Sequence, residues 1–177
     1  MKVQFSNSRI VLQQTSRYPF EGNVLFEVLK ASAPTEVTLQ LAAPSFTSNQ
    51  KLTINGRSVP FKTENGFIVF KARLTQGTKI NLLFDLDTRV EHMVNTKYPR
   101  PHFYTISYGP LLLGHAGKEE VSFDKKPQLV RLSDNDWLVA RKDIHLSPVY
   151  QLLNPEVRSE TGYAKQILFK IGNDIEP

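Results

Sequence analysis

The sequence predicts an all-β protein: an antiparallel β-sandwich, jelly-roll-like, with a less regular C-terminal extension. Three observations predict it. Apolar residues recur with period two, asparagine–glycine and glycine turn signals punctuate the runs, and few segments show helical periodicity. Successive side chains of a strand point to opposite faces, so alternation offers one continuous apolar face for a sheet to bury. In a helix the same residues would scatter around the axis.

Taken in order, Ser8–Gln13 is the first short strand. Val24, Phe26 and Val28 then alternate with Leu25 and Glu27, and Val37, Leu39 and Leu41 with Thr38 and Gln40. Lys51–Ile54, Val59–Phe61 and Phe67–Lys71 are shorter candidates. Ile80, Leu82, Phe84 and Leu86 form the longest alternation, and Phe103–Ser107 follows. Asn55-Gly56 tolerates positive φ at both positions, the requirement of a tight hairpin turn. The span Asn55–Ser58 before Val59 predicts a loop somewhat longer than two residues. Asn65-Gly66 and Gln76-Gly77 mark the next turns. Turn signals spaced roughly every 8–12 residues favour a sandwich or barrel over a sheet with crossover helices.

Beyond Leu113 the pattern weakens. Apolar periodicity lapses over Gly114–Pro127, and Lys118–Lys126 is polar and charged. This stretch divides the chain into a sandwich domain, residues 1–114, and an extension, residues 115–177. The extension holds Leu129–Leu132, Trp137-Leu138-Val139 and Ile144–Tyr150. Helices are expected between Asp134 and Arg141, capped by Asp134 or Asn135, and between Val149 and Asn154. Tyr163–Ile171 reads as one more strand that returns to the sandwich.

Composition bounds the function. A chain of 177 residues with 40% hydrophobic and 22% charged residues can bury a core without staples. It has no cysteine, which excludes a disulfide framework, a thiolate metal site and a cysteine nucleophile. The net charge of +5 is modest. Its cations are dispersed beside acids, as in Lys118-Glu119-Glu120 and Asp124-Lys125-Lys126, which reads as a solvated surface and not a nucleic-acid footprint. No window approaches the ~18 apolar residues of a membrane helix. The start, Met1–Phe5, has no apolar signal core.

Catalytic chemistry is sparse. His92, His102, His115 and His145 lack the spacing of a zinc site, so no metal or other cofactor is expected. A glycosidase needs two carboxyl groups facing one sugar. Asp85 and Asp87 share a strand face but end the strand opposite its apolar side, where exposure explains them. No nucleophile elbow and no phosphate-cradling glycine loop occurs, and Tyr108-Gly109-Pro110 has proline where such a loop needs a donor. Aromatic residues remain. Tyr98, His102, Phe103, Tyr104 and Trp137 are the candidates for a platform on which sugars stack, and Lys97–Tyr104 combines rings, cations and two prolines. The opposing reading packs these rings as a satellite core cluster under a loop.

Several signals, read in order, resemble the sandwich region that follows the catalytic barrel in the β-L-arabinofuranosidase family of glycoside hydrolases, family 127 and its relatives. The similar elements are Thr15-Ser16-Arg17-Tyr18-Pro19-Phe20-Glu21-Gly22, Leu39–Phe46, Ile54-Asn55-Gly56, Gly66-Phe67, Gly77, and Tyr108-Gly109-Pro110-Leu111. The resemblance covers about residues 8–114. It departs at Ala42, where the family has arginine, at Phe46, where it has tryptophan, and at Thr78, where an acid is usual. The family's catalytic cysteine, zinc ligands and glutamates lie on the barrel, so none of those roles transfers to this cysteine-free chain.

The resemblance implies a C-terminal piece of a larger glycoside hydrolase, or a separately encoded remnant, whose parent is periplasmic or secreted. The expected role is a non-catalytic module that supports the catalytic barrel or an oligomer such as a homodimer. The substrate of the parent would be an arabinose-containing plant polysaccharide. The alternative is a carbohydrate-binding module that holds a plant-type oligosaccharide through Tyr98, His102, Tyr104 and Trp137. A third reading makes the chain a hydrolase in its own right, working through Asp85 and Asp87.

Overall fold

The computed structural model describes residues 2–5, 8–93, 103–117, 119–153 and 164–172. The chain divides into two compact units, Met1–Asp87 and Thr88–Pro177.

The first unit is an antiparallel sandwich. Its larger sheet has six strands in the order β1 (Lys2–Phe5), β2 (Ser8–Ser16), β3 (Asn23–Ala31), β9 (Lys79–Leu86), β5 (Thr47–Ile54), β6 (Arg57–Ser58). The smaller sheet runs β4 (Thr35–Ala42), β8 (Phe67–Leu74), β7 (Lys62–Glu64). Chain connections cross between the sheets at β3–β4, β4–β5, β6–β7 and β8–β9, so the core must form from both at once. Ile10, Leu12, Val28, Leu52, Ile80 and Leu82 of the larger sheet pack with Ile68, Phe70, Ala72 and Leu74 of the smaller.

The turn chemistry follows sequence. Ile54 pairs with Arg57 across Asn55 (φ 49°) and Gly56 (φ 77°). The hairpin loop is therefore two residues, shorter than expected, because Arg57 and Ser58 already belong to the returning strand. Val59–Phe61 lies outside the strands. Asn55 also binds the neighbouring strand: its Oδ1 accepts from the Lys79 amide at 2.8 Å. Glu64 pairs with Phe67 across Asn65 (φ 51°) and Gly66 (φ 78°), a second two-residue turn with both central residues left-handed. In β3 the register slips by one residue, from Val11↔Lys30 to Leu12↔Val28. Leu29 is the extra residue of that bulge and points into solvent, 42% exposed.

The second unit is a nine-stranded sheet. Its path is β13 (Ser122–Phe123), β18 (Phe169–Ile171), β11 (Phe103–Tyr108), β12 (Leu111–Gly117), β16 (His145–Pro148), β15 (Trp137–Val139), β14 (Leu129–Arg131). β10 (Thr88–His92) joins β11, and β17 (Ala164–Gln166) joins β12. All pairs are antiparallel except β13 with β18. The registers Ile106↔Leu113, Leu113↔Pro148, Trp137↔Leu146 and Phe123↔Ile171 place the buried apolar residues on one face of this sheet.

The compact units divide at Asp87 and Thr88, whereas the expected boundary at 114 and 115 falls inside β12, which runs through Gly114 to Gly117; β13 follows within the second unit. Two expectations are corrected. Asp134–Arg141 is not helical, because Trp137 and Val139 alternate into the core as β15. Tyr163–Ile171 holds two short strands with different partners in place of one, with Tyr163 outside the described residues. The single turn α1 (Val149–Leu152) occupies the second expected helix. It packs over β12 at Gly114, where an added Cβ would lie 2.7 Å from Leu152 Cδ1.

Candidate functional site

The core-facing stripe of β2 changes chemistry along its length. Ile10 and Leu12 are buried, whereas Gln14 and Ser16, on the same face by the strand period, are exposed. Their partners on β3 stay apolar: Gln14 pairs with Phe26, and Ser16 with Val24. The core therefore opens at this end into a groove of about 290 Å³. Phe26, Leu41, Pro44, Leu82 and Phe84 make it apolar, while Gln14, Ser16 and Tyr18 add hydrogen-bonding atoms.

The turn after β2 shapes this groove. Ser16 Oγ accepts from the Tyr18 amide at 2.9 Å and donates to the Asn23 carbonyl at 3.1 Å. The Tyr18–Pro19 peptide is cis, and the Phe20 amide closes the turn on the Arg17 carbonyl at 2.9 Å. Gly22 then runs against β9, with the Phe84 amide donating to its carbonyl at 2.8 Å. Tyr18 presents a ring 42% exposed, and partial burial pushes its phenol above the ordinary value of 10.0. None of Gln14, Ser16 and Tyr18 ionises near neutral pH. The groove can hold an apolar or ring-shaped group and bond to its edge, but it supplies no pair of carboxyl groups.

The carboxylates considered for hydrolysis tie down a bulge. β5 gains one residue against β9 between Ser48 and Lys51, with Asn49 left-handed at φ 51°. Asn49 Nδ2 donates to Asp85 Oδ2 at 2.7 Å, and Ser48 Oγ to Asp87 Oδ1 at 2.7 Å. Both acids are thereby engaged in holding the edge of the sheet.

The expected aromatic platform fares unevenly. Tyr98 and His102 lie outside the described residues. Tyr104 is half-buried, its ring 5.2 Å from that of His92. Trp137 is only 1% exposed and packs 5.3 Å from the Tyr108 ring, so it is a core residue and cannot stack on a sugar. Its place opposite Leu146 on the apolar face explains the burial. The groove residues Gln14, Ser16 and Tyr18 were not anticipated, although two polar residues interrupting the stripe Ile10, Leu12, Gln14, Ser16 were a legible signal.

Two histidines meet in the second unit. His115 Nδ1 contacts the His145 carbonyl at 2.9 Å, and His145 Nδ1 contacts Asp136 Oδ1 at 2.8 Å. The Asp136 hydrogen bond raises the His145 pKa above the ordinary 6.5, with Asp143 adding a weaker attraction. Protonated His145 thus contributes stability that is present below 6.5 and is lost as pH rises through the raised folded value. Asp136→Asn is expected to bring the imidazole titration back toward 6.5, read by NMR. An unchanged midpoint would show that Asp136 is not the cause. Among the described residues, no group of three or more histidine or acidic side chains is arranged to hold a metal ion. No described helix is long and apolar enough to cross a membrane.

Residues 1–86 match the family model for the β-L-arabinofuranosidase GH127 middle domain. The first unit is similar to a GH127 middle domain. The likeness of fold extends through the second unit as well. A GH127 β-L-arabinofuranosidase from Geobacillus stearothermophilus T6 is similar over 97% of this chain and 32% of its own, at TM-score 0.69 and 17% identity. A structure described as a glycoside hydrolase is similar over 98% of this chain and 34% of its own, at TM-score 0.74 and 16% identity. A GH127 β-arabinofuranosidase is similar over 96% and 33%, at TM-score 0.68 and 14% identity. The chain therefore spans about a third of the length of these proteins. No curated protein sequence matches it. In the first unit the departures from the pattern expected of that family fall at defined places. Ala42, standing for the arginine, lines the groove. Thr78, standing for the acid, is buried and accepts from the Thr75 amide at 3.0 Å.

Proposed function

We propose that this chain is a non-catalytic β-sandwich module of a glycoside hydrolase acting on arabinose-containing plant polysaccharides, and that it supports the catalytic barrel. The observation that carries the reading is an exposed apolar patch on the second unit. Tyr150 (49% exposed) lies in α1, Leu153 (57%) ends it, and Ile167 (41%) lies beside it. An added Cβ on Gly114 would lie 3.1 Å from Ile167 Cγ2, so α1 and Ile167 cover adjacent parts of β12. Leu112 (36%) continues the same strand face two residues away. Grouped exposed apolar side chains mark a surface that another body covers. The occupant is the barrel, because the matched structures have about two-thirds of their length outside the region shared with this chain. The groove beside Tyr18 supports the non-catalytic part, since no carboxylate or histidine lines it.

The test mixes the purified chain with a GH127 catalytic barrel that lacks its own sandwich region. Co-elution in a one-to-one complex is expected, with no arabinose released by the chain alone. Leu153→Glu together with Ile167→Glu should abolish co-elution and leave the melting temperature of the chain within a few degrees. Turnover by the chain alone would contradict the non-catalytic reading. Undiminished co-elution of the double variant would move the docking surface elsewhere.

A further inference from the structure

The second unit contains a cavity of about 360 Å³ between the segment Phe123–Gln128 and the turn Val139–Lys142. The Ala140 amide donates to the Gln128 carbonyl at 2.8 Å, which ties the two walls together. The Lys142 amide donates to the Val139 carbonyl at 3.0 Å, which closes the turn. Buried Phe123, Pro127 and Val139 give the cavity an apolar lining. Lys125, Lys126, Arg141 and Lys142 bring cations to it against one lining carboxylate, Asp124, with Asp143 next along the chain. In sequence Asp124-Lys125-Lys126 reads as solvated surface; the fold adds Arg141 and Lys142 to it.

Backbone geometry singles out Arg141. Its φ is +65°, a left-handed conformation. Among the described residues every other left-handed position holds glycine or asparagine: Asn49, Asn55, Asn65, Gly56, Gly66, Gly77 and Gly109. Glycine has no Cβ to clash, and asparagine can bond its own backbone. Arginine has neither advantage, so glycine would suit this turn better on backbone grounds alone. A residue held at a backbone cost beside a cavity is reason to look for a ligand that uses its side chain.

We propose that this cavity binds an acidic sugar, a carboxylate-bearing uronic acid unit of an oligosaccharide. Arg141 would meet the carboxylate through its planar fork, with Lys125 and Lys126 adding charge. The choice of a sugar rests on the glycoside-hydrolase reading above, whereas the cation cluster and the strained turn do not.

The experiment titrates the full chain at fixed ionic strength with trigalacturonic acid, with the same trisaccharide reduced to its neutral form, and with inorganic phosphate. Trigalacturonic acid should bind at least tenfold more tightly than either of the others. Arg141→Gly should weaken it at least tenfold while melting at the same or a higher temperature, because glycine relieves the left-handed turn. Lys126→Gln is the second variant and should weaken binding several-fold without changing the backbone. The proposal is overturned if no anion binds, if the neutral sugar or phosphate binds equally well, or if Arg141→Gly binds unchanged. A drop in the melting temperature of Arg141→Gly would also overturn it, by showing that the fold itself needs the arginine. Co-elution with the barrel depends on a different surface, so the two readings fail separately.

Discussion

Gly22→Ala is expected to destabilise the first unit by about 3 kcal/mol or more, from overpacking of ~1–3 kcal/mol and the disturbance of a half-buried hydrogen bond worth about 1 kcal/mol. An ideal Cβ at position 22 would lie 1.7 Å from the Phe84 carbonyl oxygen and 2.7 Å from its carbon. Those atoms belong to β9, whose Phe84 amide donates to the Gly22 carbonyl. Neither the turn at Gly22 nor β9 can give way without breaking that bond or displacing the core positions Leu82 and Ile80. Gly56→Ala is the control. Gly56 also resists substitution, but only through its left-handed φ of +77°, with nothing within 4 Å of an added Cβ. Its cost should be nearer ~1 kcal/mol. Urea unfolding followed by circular dichroism separates the two. Equal costs would mean that the close approach at Gly22 relaxes easily.

Features of a fold that answer local demands are legible in sequence, and long-range ones are not. Asn55-Gly56 and Asn65-Gly66 announce hairpins because both residues of each pair take positive φ, a local demand met by local chemistry. The alternations over β3, β4, β8 and β9 announce a sandwich because one face of each strand is the more covered. Position 22 is different. The glycine is visible, but its reason, the passage of β9 within touching distance, is a long-range fact.

The same distinction explains the misreadings. Trp137-Leu138-Val139 is too short for its alternation to be told from part of a helix, and only pairing with β14 and β16 decides it. The unit boundary at Asp87 leaves no lapse in apolar pattern, because one strand ends there and another begins at Thr88. The lapse after Gly114 spans the end of β12 and the two-residue strand β13 instead. For the sites, sequence offers aromatic residues but not their orientation. The groove beside Tyr18 arises from polar residues in a core stripe, and the cation-lined cavity joins residues about fifteen positions apart.

Trp137→Ala should cost about 3–5 kcal/mol, the usual loss when a large aromatic leaves a core. Trp137 is buried on the apolar face opposite Leu146 and against Tyr108, and Arg131 places its guanidinium 6.0 Å from the Tyr108 ring on the other strand. Removing the indole therefore opens a cavity shared by β11, β15 and β16, which those short strands have few other contacts to fill. Trp137→Phe should cost much less, about 1–2 kcal/mol. It keeps a ring against Tyr108, and it also deletes the indole Nε1, which is buried and has no hydrogen-bond partner. Losing an unsatisfied donor offsets part of the lost packing. Thermal melts by circular dichroism give the order wild type, then Phe, then Ala. The chain has one tryptophan, so its own fluorescence reports the same environment before any substitution. A core indole emits at short wavelength and does not respond to oligosaccharide. Emission typical of an exposed indole, quenched by a neutral arabinose oligomer, would return Trp137 to the surface and to the expected aromatic platform.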